Sequence, residues 1–214
     1  MQLQRQFSGQ LITIDPNTAI ASGGEGRIYP IAQDPSLVAK IYHRPTDEDG
    51  DKLTVMFSMP PDAPIAEPGH ASIAWPLDLL HTIGGREKIV GFVMPRVTKV
   101  LPIHTFYTPK TRREQKPLFN YLYLHRTARN LAAAVNALHM RGYVIGDVNE
   151  SNILVTDTAL VTLVDTDSFQ VRDPYTGYVY RCPVGKPEFT PPELQGQTFR
   201  ELDRAPEHDL FGLA

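Results

Sequence analysis

The stretch VIGDVNESNILV, residues 144–155, places five polar side chains between two short apolar segments. Asp, Asn, Ser and Gly all favour turns, so one interpretation is an ordinary surface turn. The other is a loop that holds a base, Asp147, and a metal ligand, Asn152. The stretch alone is compatible with both interpretations, and residues elsewhere in the chain are needed to choose between them.

Composition and charge exclude several classes of protein. With 214 residues, 42% of them hydrophobic, the chain suits one large domain or two small lobes. A net charge of −3 gives no sign of a nucleic-acid partner, which usually requires a basic face. Cys182 is the single cysteine, so no internal disulfide is possible and a reducing compartment is expected. The polar amino terminus resembles no signal peptide, and no apolar run approaches the roughly 20 residues that span a bilayer. We therefore expect a soluble, cytoplasmic protein with no membrane partner.

Hydrophobic patterning divides the chain near residue 97. Four segments before this point are apolar or alternating and are bounded by turn residues, which predicts the strands 10–14, 27–32, 37–42 and 88–97. A helix is predicted over about residues 46–58, beginning at Thr46 and ending before Pro60. The later part opens with helical spacing over 118–142 and continues with two strands, 152–155 and 160–165. This order predicts an α+β protein with a strand-rich small lobe, residues 1–97, and a helix-led large lobe, residues 98–214.

Two features of the predicted small lobe suggest phosphate binding. The segment SGGEGRIYPI (22–31) places three glycines in a turn between strands, where backbone N–H groups can approach phosphates. An ordinary glycine hairpin explains the same residues. Lys40 follows Gly24 by sixteen residues within an apolar strand, where it either points to solvent or is held for a purpose. Asp165 ends the apolar strand 160–165, and together with Asn152 it offers Mg²⁺ two oxygen ligands from separate loops.

The order of these features resembles the protein kinase signature: a glycine turn, a strand lysine, Asp-x4-Asn, and an Asp after a strand. The resemblance covers nearly the whole chain. It rests on the following segments: Gly24-Glu25-Gly26 with Tyr29, Val38-Ala39-Lys40, Ile145-Gly146-Asp147 with Asn152, Asp165-Thr166-Asp167, Gly185 to Glu193, and Asp209-Leu210-Phe211-Gly212. DTDSFQV and VGKPEFTPPEL are most similar to bacterial serine/threonine kinases related to those encoded beside von Willebrand A proteins and protein phosphatases. Some of these relatives carry helix-hairpin-helix regions, and this chain shows none.

The resemblance implies a two-lobed kinase-like fold whose large lobe stops as its central helix begins, and an enzyme that uses ATP and Mg²⁺. Lys40 would hold the α- and β-phosphates, Asn152 and Asp165 would hold the metal, and Asp147 would accept the proton of a Ser or Thr hydroxyl. The remaining nucleotide contacts implied by the resemblance are Gly23, Gly24 and Gly26 in the turn, Met94 as gatekeeper, the Pro95 carbonyl, and the Val97 backbone. Expected partners are a protein substrate, including the chain itself, and a phosphatase or von Willebrand A protein.

The chain also departs from the family pattern. Ile145 and Gly146 replace the catalytic-loop His and Arg, so no arginine is left there to receive a phosphorylated activation segment. Asn149 stands where a lysine is usual, and Lys186 stands in place of a threonine that normally contacts that lysine. We therefore expect Lys186 to supply the missing cation. The acidic partner of Lys40 stays open between Glu48 and Asp51.

Two alternatives to an active kinase differ in class. A pseudokinase, that is, a nucleotide-binding scaffold without transfer activity, is favoured by Gly146, Asn149 and Thr166, whereas the retained Lys40 and Asp147 favour the enzyme. A P-loop NTPase is excluded because the chain has no G-x4-GK[ST] segment.

Overall fold

The computed structural model describes residues 1–65, 67–84 and 88–214. The chain divides into two compact units, Met1–Pro60 with Trp75–Arg96, and Pro61–Ala74 with Val97–Ala214. The predicted boundary at residue 97 differs from this division because residues 61–74 lie in the second unit. There the Ala74 N–H donates to Leu163 O at 2.9 Å, and the Leu163 N–H donates to Ser72 O at 2.9 Å. Such pairing between distant segments leaves no mark on local hydrophobic spacing.

The first unit is built on a seven-stranded antiparallel sheet in the order β2-β1-β6-β7-β5-β4-β3. Its strands are β1 (Gln2–Arg5), β2 (Leu11–Thr13), β3 (Ala21–Ser22), β4 (Gly26–Ile31), β5 (Asp34–Tyr42), β6 (Asp78–Thr82) and β7 (Ile89–Pro95). The four strands predicted in this part of the chain correspond to β2, β4, β5 and β7. The sequence analysis did not predict β1, β3 or β6.

A helix, α1 (Asp47–Ser58), packs against β6 and β7 of this sheet. Thr46 caps it: its Oγ1 accepts from the Asp49 N–H at 3.1 Å, and Asp49 Oδ2 accepts from the Thr46 N–H at 2.8 Å. Leu53 and Met56 form its buried face. Buried side chains from the strands and the segments next to them form one hydrophobic core cluster: Leu3, Ile12, Ile14, Tyr29, Ile31, Ala39, Leu80 and Val93. The cap and the buried face agree with the helix predicted over 46–58.

The second unit combines helices with two small sheets. Its helices are α2 (His104–Tyr107), α3 (Pro109–Gln115), α4 (Tyr121–Met140) and α5 (Pro206–Leu213), and three short 3-10 helices occupy Thr166–Ser168, Pro187–Phe189 and Pro192–Leu194. Its strands are β8 (Val100–Pro102), β9 (Ile153–Thr156), β10 (Val161–Leu163), β11 (Val171–Arg172) and β12 (Val179–Tyr180). The sheets have the order β10-β9-β8 and β11-β12.

The longest helix, α4, has the apolar spacing that the sequence predicted over 118–142. The Asn120 side chain caps it by accepting from the Leu122 N–H at 3.0 Å, and the chain leaves it through Gly142 at φ 80°. Leu131, Ala134, Val135 and Leu138 form its buried apolar stripe. Across the described residues, no helix has both the length and the apolar character needed to span a membrane.

Candidate active site

The glycine-rich turn joins β3 and β4. The Gly23 N–H donates to Gly26 O at 2.9 Å, which closes the turn. A Cβ at Gly26 would lie 2.4 Å from the Ile41 carbonyl oxygen, so only glycine fits beside β5 at this position. A Cβ at Gly24 would meet no described atom within 4 Å, and one at Gly23 would meet only Gly26 O at 4.0 Å. Sheet packing therefore explains Gly26, whereas the backbone of Gly23 and Gly24 borders open space.

Lys40 is buried within β5, with only 6% of its surface exposed. It lies opposite Ile28 of β4 and Phe92 of β7, and its ammonium is 3.7 Å from Glu25 Oε2 in the glycine turn. These contacts exclude the interpretation of Lys40 as a solvent-facing strand residue. Glu25 was predicted only as part of the glycine turn, and this contact adds it to Glu48 and Asp51 as a candidate acidic partner of Lys40.

The expected adenine-contacting residues lie at and just after the end of β7. Met94 is buried opposite Val38, and Pro95 is the last residue of the strand. The Arg96 N–H donates to Ser36 O at 2.7 Å. The Val97 N–H, the first of the following segment in the second unit, donates to no acceptor among the described residues. Pro95 lacks an N–H, so its carbonyl is the polar backbone group that it can offer a ligand.

A buried carboxylate anchors the loop that begins at Ile145. Asp209 of α5 is 1% exposed and accepts from the Ile145 N–H at 2.7 Å and from the Gly146 N–H at 2.8 Å. His139 Nε2, at the end of α4, lies 2.8 Å from the same carboxylate. The Asp209 side chain thus joins α5 to the end of α4 and to the loop that follows it, 64 to 70 residues earlier in the sequence. The resemblance included Asp209 as part of a helix start, but local spacing gave no sign of this anchoring.

Within the loop, two amide side chains converge on Asp147. Asn149 Nδ2 donates to Asp147 Oδ2 at 2.9 Å, and Asn152 Nδ2 donates to the same oxygen at 3.3 Å. Asn149 is 3% exposed, and its Oδ1 accepts from the Ser151 N–H at 2.9 Å. Asn149 therefore holds the loop together, a role that the sequence analysis missed when it treated this position only as a lost lysine.

Asp165 is tied to the same loop through the residue before it. The Val164 N–H donates to Asn152 O at 3.0 Å, so the backbone brings the two expected metal ligands onto adjacent segments. Asp165 itself adopts a left-handed conformation, φ 59° and ψ 38°, before the 3-10 turn 166–168. One carboxylate oxygen of Asp165 lies within 4.8 Å of one from Asp167. Because Asn152 Nδ2 faces Asp147, its Oδ1 is left for a ligand, and these oxygen donors fit Mg²⁺.

The electrostatics around Asp147 oppose its ionisation. Burial raises the pKa of the Asp147 carboxyl above its usual value, and the negative charge of Asp165 acts in the same direction. The positive charges of Arg204 and Lys186 partly offset this effect. Asp147 Oδ1 is buried and has no hydrogen-bond partner among the described residues, so it is the oxygen left to accept from a ligand.

Lys186 turns toward this loop. Its Nζ donates to Glu150 Oε1 at 2.8 Å and lies 3.5 Å from Ser151 Oγ. The hydrogen bond that Lys186 donates to Glu150 is the main cause that raises the pKa of Lys186. The Lys186 side chain is 41% exposed, so the pair is accessible to solvent. The structure thus puts a cation beside the loop that holds Asp147, although Asn149 itself carries none.

Comparison with solved structures decides the fold. A ROP18 kinase domain, in complex with AMP-PNP and sucrose, matches 99% of this chain and 64% of its own, with a TM-score of 0.60 and 16% identity. ROP2 of Toxoplasma gondii, described as a virulence factor with a protein-kinase fold and no enzymatic activity, matches 100% of this chain and 64% of its own, with a TM-score of 0.63 and 15% identity. The chain has a protein-kinase fold. This confirms the predicted α+β, kinase-like class.

Curated sequences agree with the kinase fold. The protein kinases YegI of Escherichia coli O157:H7 and of Escherichia coli strain K12 are each 40% identical to this chain over 210 residues. The alignment covers 97% of this chain and 31% of each relative, so the chain spans about a third of their length. No protein-family model matches the chain.

Proposed function

We propose that this kinase-fold chain binds ATP and Mg²⁺ and transfers the γ-phosphoryl group to Ser or Thr hydroxyls of a protein substrate, including its own chain. The observation that carries the proposal is the network that joins Asp147, Asn152 and the segment leading into Asp165. A base and two oxygen ligands held together by backbone and amide contacts are what phosphoryl transfer requires. The 40% identity to proteins named as kinases supports the same activity.

In this proposal the nucleotide is held by Lys40, the glycine turn and the residues at the end of β7. Lys40 is a buried cation in β5, which pairs with β4 after the glycine turn. The backbone of Gly24 borders open space where a phosphate would lie, whereas the Gly23 N–H already donates to Gly26 O. The adenine would lie against Met94, donate to the Pro95 carbonyl and accept from the Val97 N–H. Asn152 and Asp165 would hold Mg²⁺, which neutralises phosphate charge when bound.

In this proposal Asp147 orients the acceptor hydroxyl and takes its proton. The hydroxyl oxygen forms a bond to the γ-phosphorus as the bond to the β-bridging oxygen breaks, and ADP leaves. Asp147 Oδ1, buried and unpartnered among the described residues, is the accepting atom. Burial, which raises the pKa of Asp147, makes it a stronger base than an exposed carboxylate.

Lys186 would supply the cation that steadies the transferred phosphoryl group. Its ammonium lies within reach of Glu150 Oε1 and Ser151 Oγ, in the same loop as Asp147. Lys186→Thr should lower kcat about 10-fold, the effect of one charge-assisted hydrogen bond of roughly 1.5 kcal/mol, with ATP affinity unchanged. Asn149→Lys is a poor rescue variant, because it would remove the acceptor of the Ser151 N–H. Full activity in Lys186→Thr would refute the role.

The decisive experiment measures transfer of labelled γ-phosphate to the chain itself and to a generic protein acceptor. Parent protein should transfer, and phosphoamino-acid analysis should recover phosphoserine or phosphothreonine. Asp147→Asn should keep ATP affinity and lose about 10²–10⁴-fold in rate, the usual contribution of a general base. A parent without transfer to any acceptor would refute the enzyme.

Thermal shift tests the nucleotide site separately. ATP with Mg²⁺ should stabilise the parent, and the shift should be much smaller in Lys40→Met and Asp165→Ala. The matched controls Lys110→Met and Asp62→Ala replace exposed residues of the same types and should retain the parent shift. Equal shifts in all five proteins would show that the site is assigned to the wrong residues.

A nucleotide-binding scaffold without transfer activity is the second candidate. The observation in its favour is that Asp147 Oδ2 already accepts from both Asn149 and Asn152. The structurally similar ROP2 is described as lacking enzymatic activity. A nucleotide-dependent thermal shift without any transfer would favour this candidate. A partner phosphatase or von Willebrand A protein, and a cytoplasmic location, stay predictions from the sequence.

A further inference from the structure

Arg204, in the segment before α5, joins two distant segments through one guanidinium. It is 6% exposed. Its Nη1 donates to the carbonyl of Gly146, and its Nη2 donates to the carbonyl of Val184 at 2.6 Å. Gly146 directly precedes Asp147, and Val184 lies two residues before Lys186. Each carbonyl therefore lies one or two residues before a residue that we assign to phosphoryl transfer.

Neighbouring groups pack closely around the guanidinium. A Cβ at Gly146 would be 2.8 Å from Arg204 Nη1 and 2.8 Å from Cys182 Cβ, and one at Gly185 would be 3.2 Å from Nη2. The Phe199 ring covers the guanidinium, with its centre 4.0 Å from Cζ. Two glycines and an aromatic ring thus leave space for the Arg204 side chain and little else.

The main chain of Arg204 is fixed as firmly as its side chain. Its N–H donates to Gln170 Oε1 at 2.7 Å, and its carbonyl accepts from Gln170 Nε2 at 2.8 Å. Gln170 in turn exchanges two backbone hydrogen bonds with Val144, at the start of the loop. Arg204 is therefore held from both ends against the same loop.

The charge of Arg204 is not used for an ion pair. Among residues 1–65, 67–84 and 88–214, no carboxylate lies within ion-pairing distance of its guanidinium, whereas the nearby Arg172 and Arg181 both pair with Asp203. A buried guanidinium without a counter-ion is costly, so its bonds to two carbonyls have to compensate. An arginine suits two carbonyls because its donors form a rigid fork, which a lysine cannot reproduce.

We propose that Arg204 is a positioning residue that holds Asp147 and Lys186 in a fixed relation, by bonding the carbonyls of Gly146 and Val184 with one guanidinium. This deepens the proposed function and rests on it. Arg204 contacts the two segments through these carbonyls, and its positive charge also lowers the pKa of Asp147. The arrangement needs no covalent modification, because all of its groups belong to the unmodified chain.

The test compares Arg204→Gln and Arg204→Lys with the matched controls Arg200→Gln and Arg200→Lys, which alter an exposed arginine four residues away. Both Arg204 variants should lower kcat by about 10- to 100-fold, since each loses at least one charged hydrogen bond. The KM for ATP should change less than twofold. A general loss of structure would instead impair ATP binding as well as kcat. Arg204→Lys keeps the charge and can reach only one carbonyl, so its kcat should also stay at or below about one tenth of the parent value. The Arg200 controls should match the parent.

Amide hydrogen exchange on the same proteins gives an answer that does not depend on transfer. Exchange in residues 144–149 and 182–188 should become faster in the Arg204 variants, while exchange in α4 stays at the parent rate. If the parent transfers no phosphate and exchange is nevertheless faster in the Arg204 variants, the proposed function is refuted and the role of Arg204 in holding the two segments is retained. Parent-like kcat in both Arg204 variants, or unchanged exchange in both segments, would overturn the inference. If Arg204→Gln does not fold, Arg204→Lys decides by the same criteria.

Discussion

Replacing Asp209 should destabilise the second unit more than any exposed substitution. Asp209→Ala removes the acceptor of two buried backbone donors, the N–H groups of Ile145 and Gly146, and the partner of His139. Each buried donor left unpaired costs about 1–3 kcal/mol, so we expect a loss of about 3–5 kcal/mol in the free energy of unfolding. Asp209→Asn keeps one oxygen acceptor and should lose about half as much.

Urea unfolding followed by circular dichroism, without nucleotide, measures this effect. Glu207→Ala, an exposed carboxylate on the same helix, is the matched control and should change the free energy of unfolding by no more than about 0.5 kcal/mol. The loss in the free energy of unfolding should be largest for Asp209→Ala, smaller for Asp209→Asn and smallest for Glu207→Ala. A loss below about 1 kcal/mol for Asp209→Ala, or no difference between Asp209→Ala and Asp209→Asn, would show that Asp209 does not anchor the loop.

Three further outcomes follow from the structure. Gly26→Ala should destabilise the first unit by several kcal/mol in a denaturant titration, because its Cβ would lie 2.4 Å from Ile41 O, whereas Gly24→Ala should be close to neutral. Because the pKa of Asp147 is higher in the folded than in the unfolded chain, its ionisation opposes folding above the folded pKa, and this effect is lost as the pH falls to the unfolded pKa. Without Mg²⁺ or nucleotide, Asp147→Asn should therefore raise Tm at pH 8 and lose that advantage near pH 4. Phosphatase treatment should change the transfer rate less than twofold, because Gly146 offers a phosphate no cation, and a tenfold fall would implicate another arginine.

Local sequence patterns predicted the elements that carry their own signals. Helical spacing located α4, Thr46 and Pro60 bounded α1, and apolar or alternating segments between turn residues located β4 and β5. The order of short motifs predicted the kinase fold, which the comparisons confirm. The short strands β1 and β8 were missed although β2, β9 and β10 of similar length were predicted, because three or four residues carry too little periodicity for a strand to be recognised consistently.

The contacts that organise the second unit could not be predicted, because their residues are far apart in sequence. Asp209 lies 64 residues from Ile145, and Arg204 lies 58 residues from Gly146. Neither separation corresponds to the repeat of a helix or a strand, so hydrophobic periodicity could not predict these contacts. The contact of Glu25 with Lys40 was missed for a related reason. The fold of the glycine turn brings Glu25 to Lys40, and the spacing of residues along the strands does not indicate it.

The departures from the kinase pattern at positions 146 and 149 are better explained as coupled replacements than as independent losses. Gly146 has φ 74°, where a side chain is strained, and the space its Cβ would need holds Arg204 Nη1 and the Cys182 side chain. Any side chain at position 146 would have to displace the Arg204 guanidinium, which comes from a different segment. Asn149 likewise fills its position with three hydrogen bonds that a lysine could not all make. Packing therefore explains both replacements, whereas Asp147 Oδ1, Glu150 Oε2 and Arg204 Nε stay buried without a partner among the described residues. Because a kinase and a scaffold can share such packing, the transfer assay decides between them.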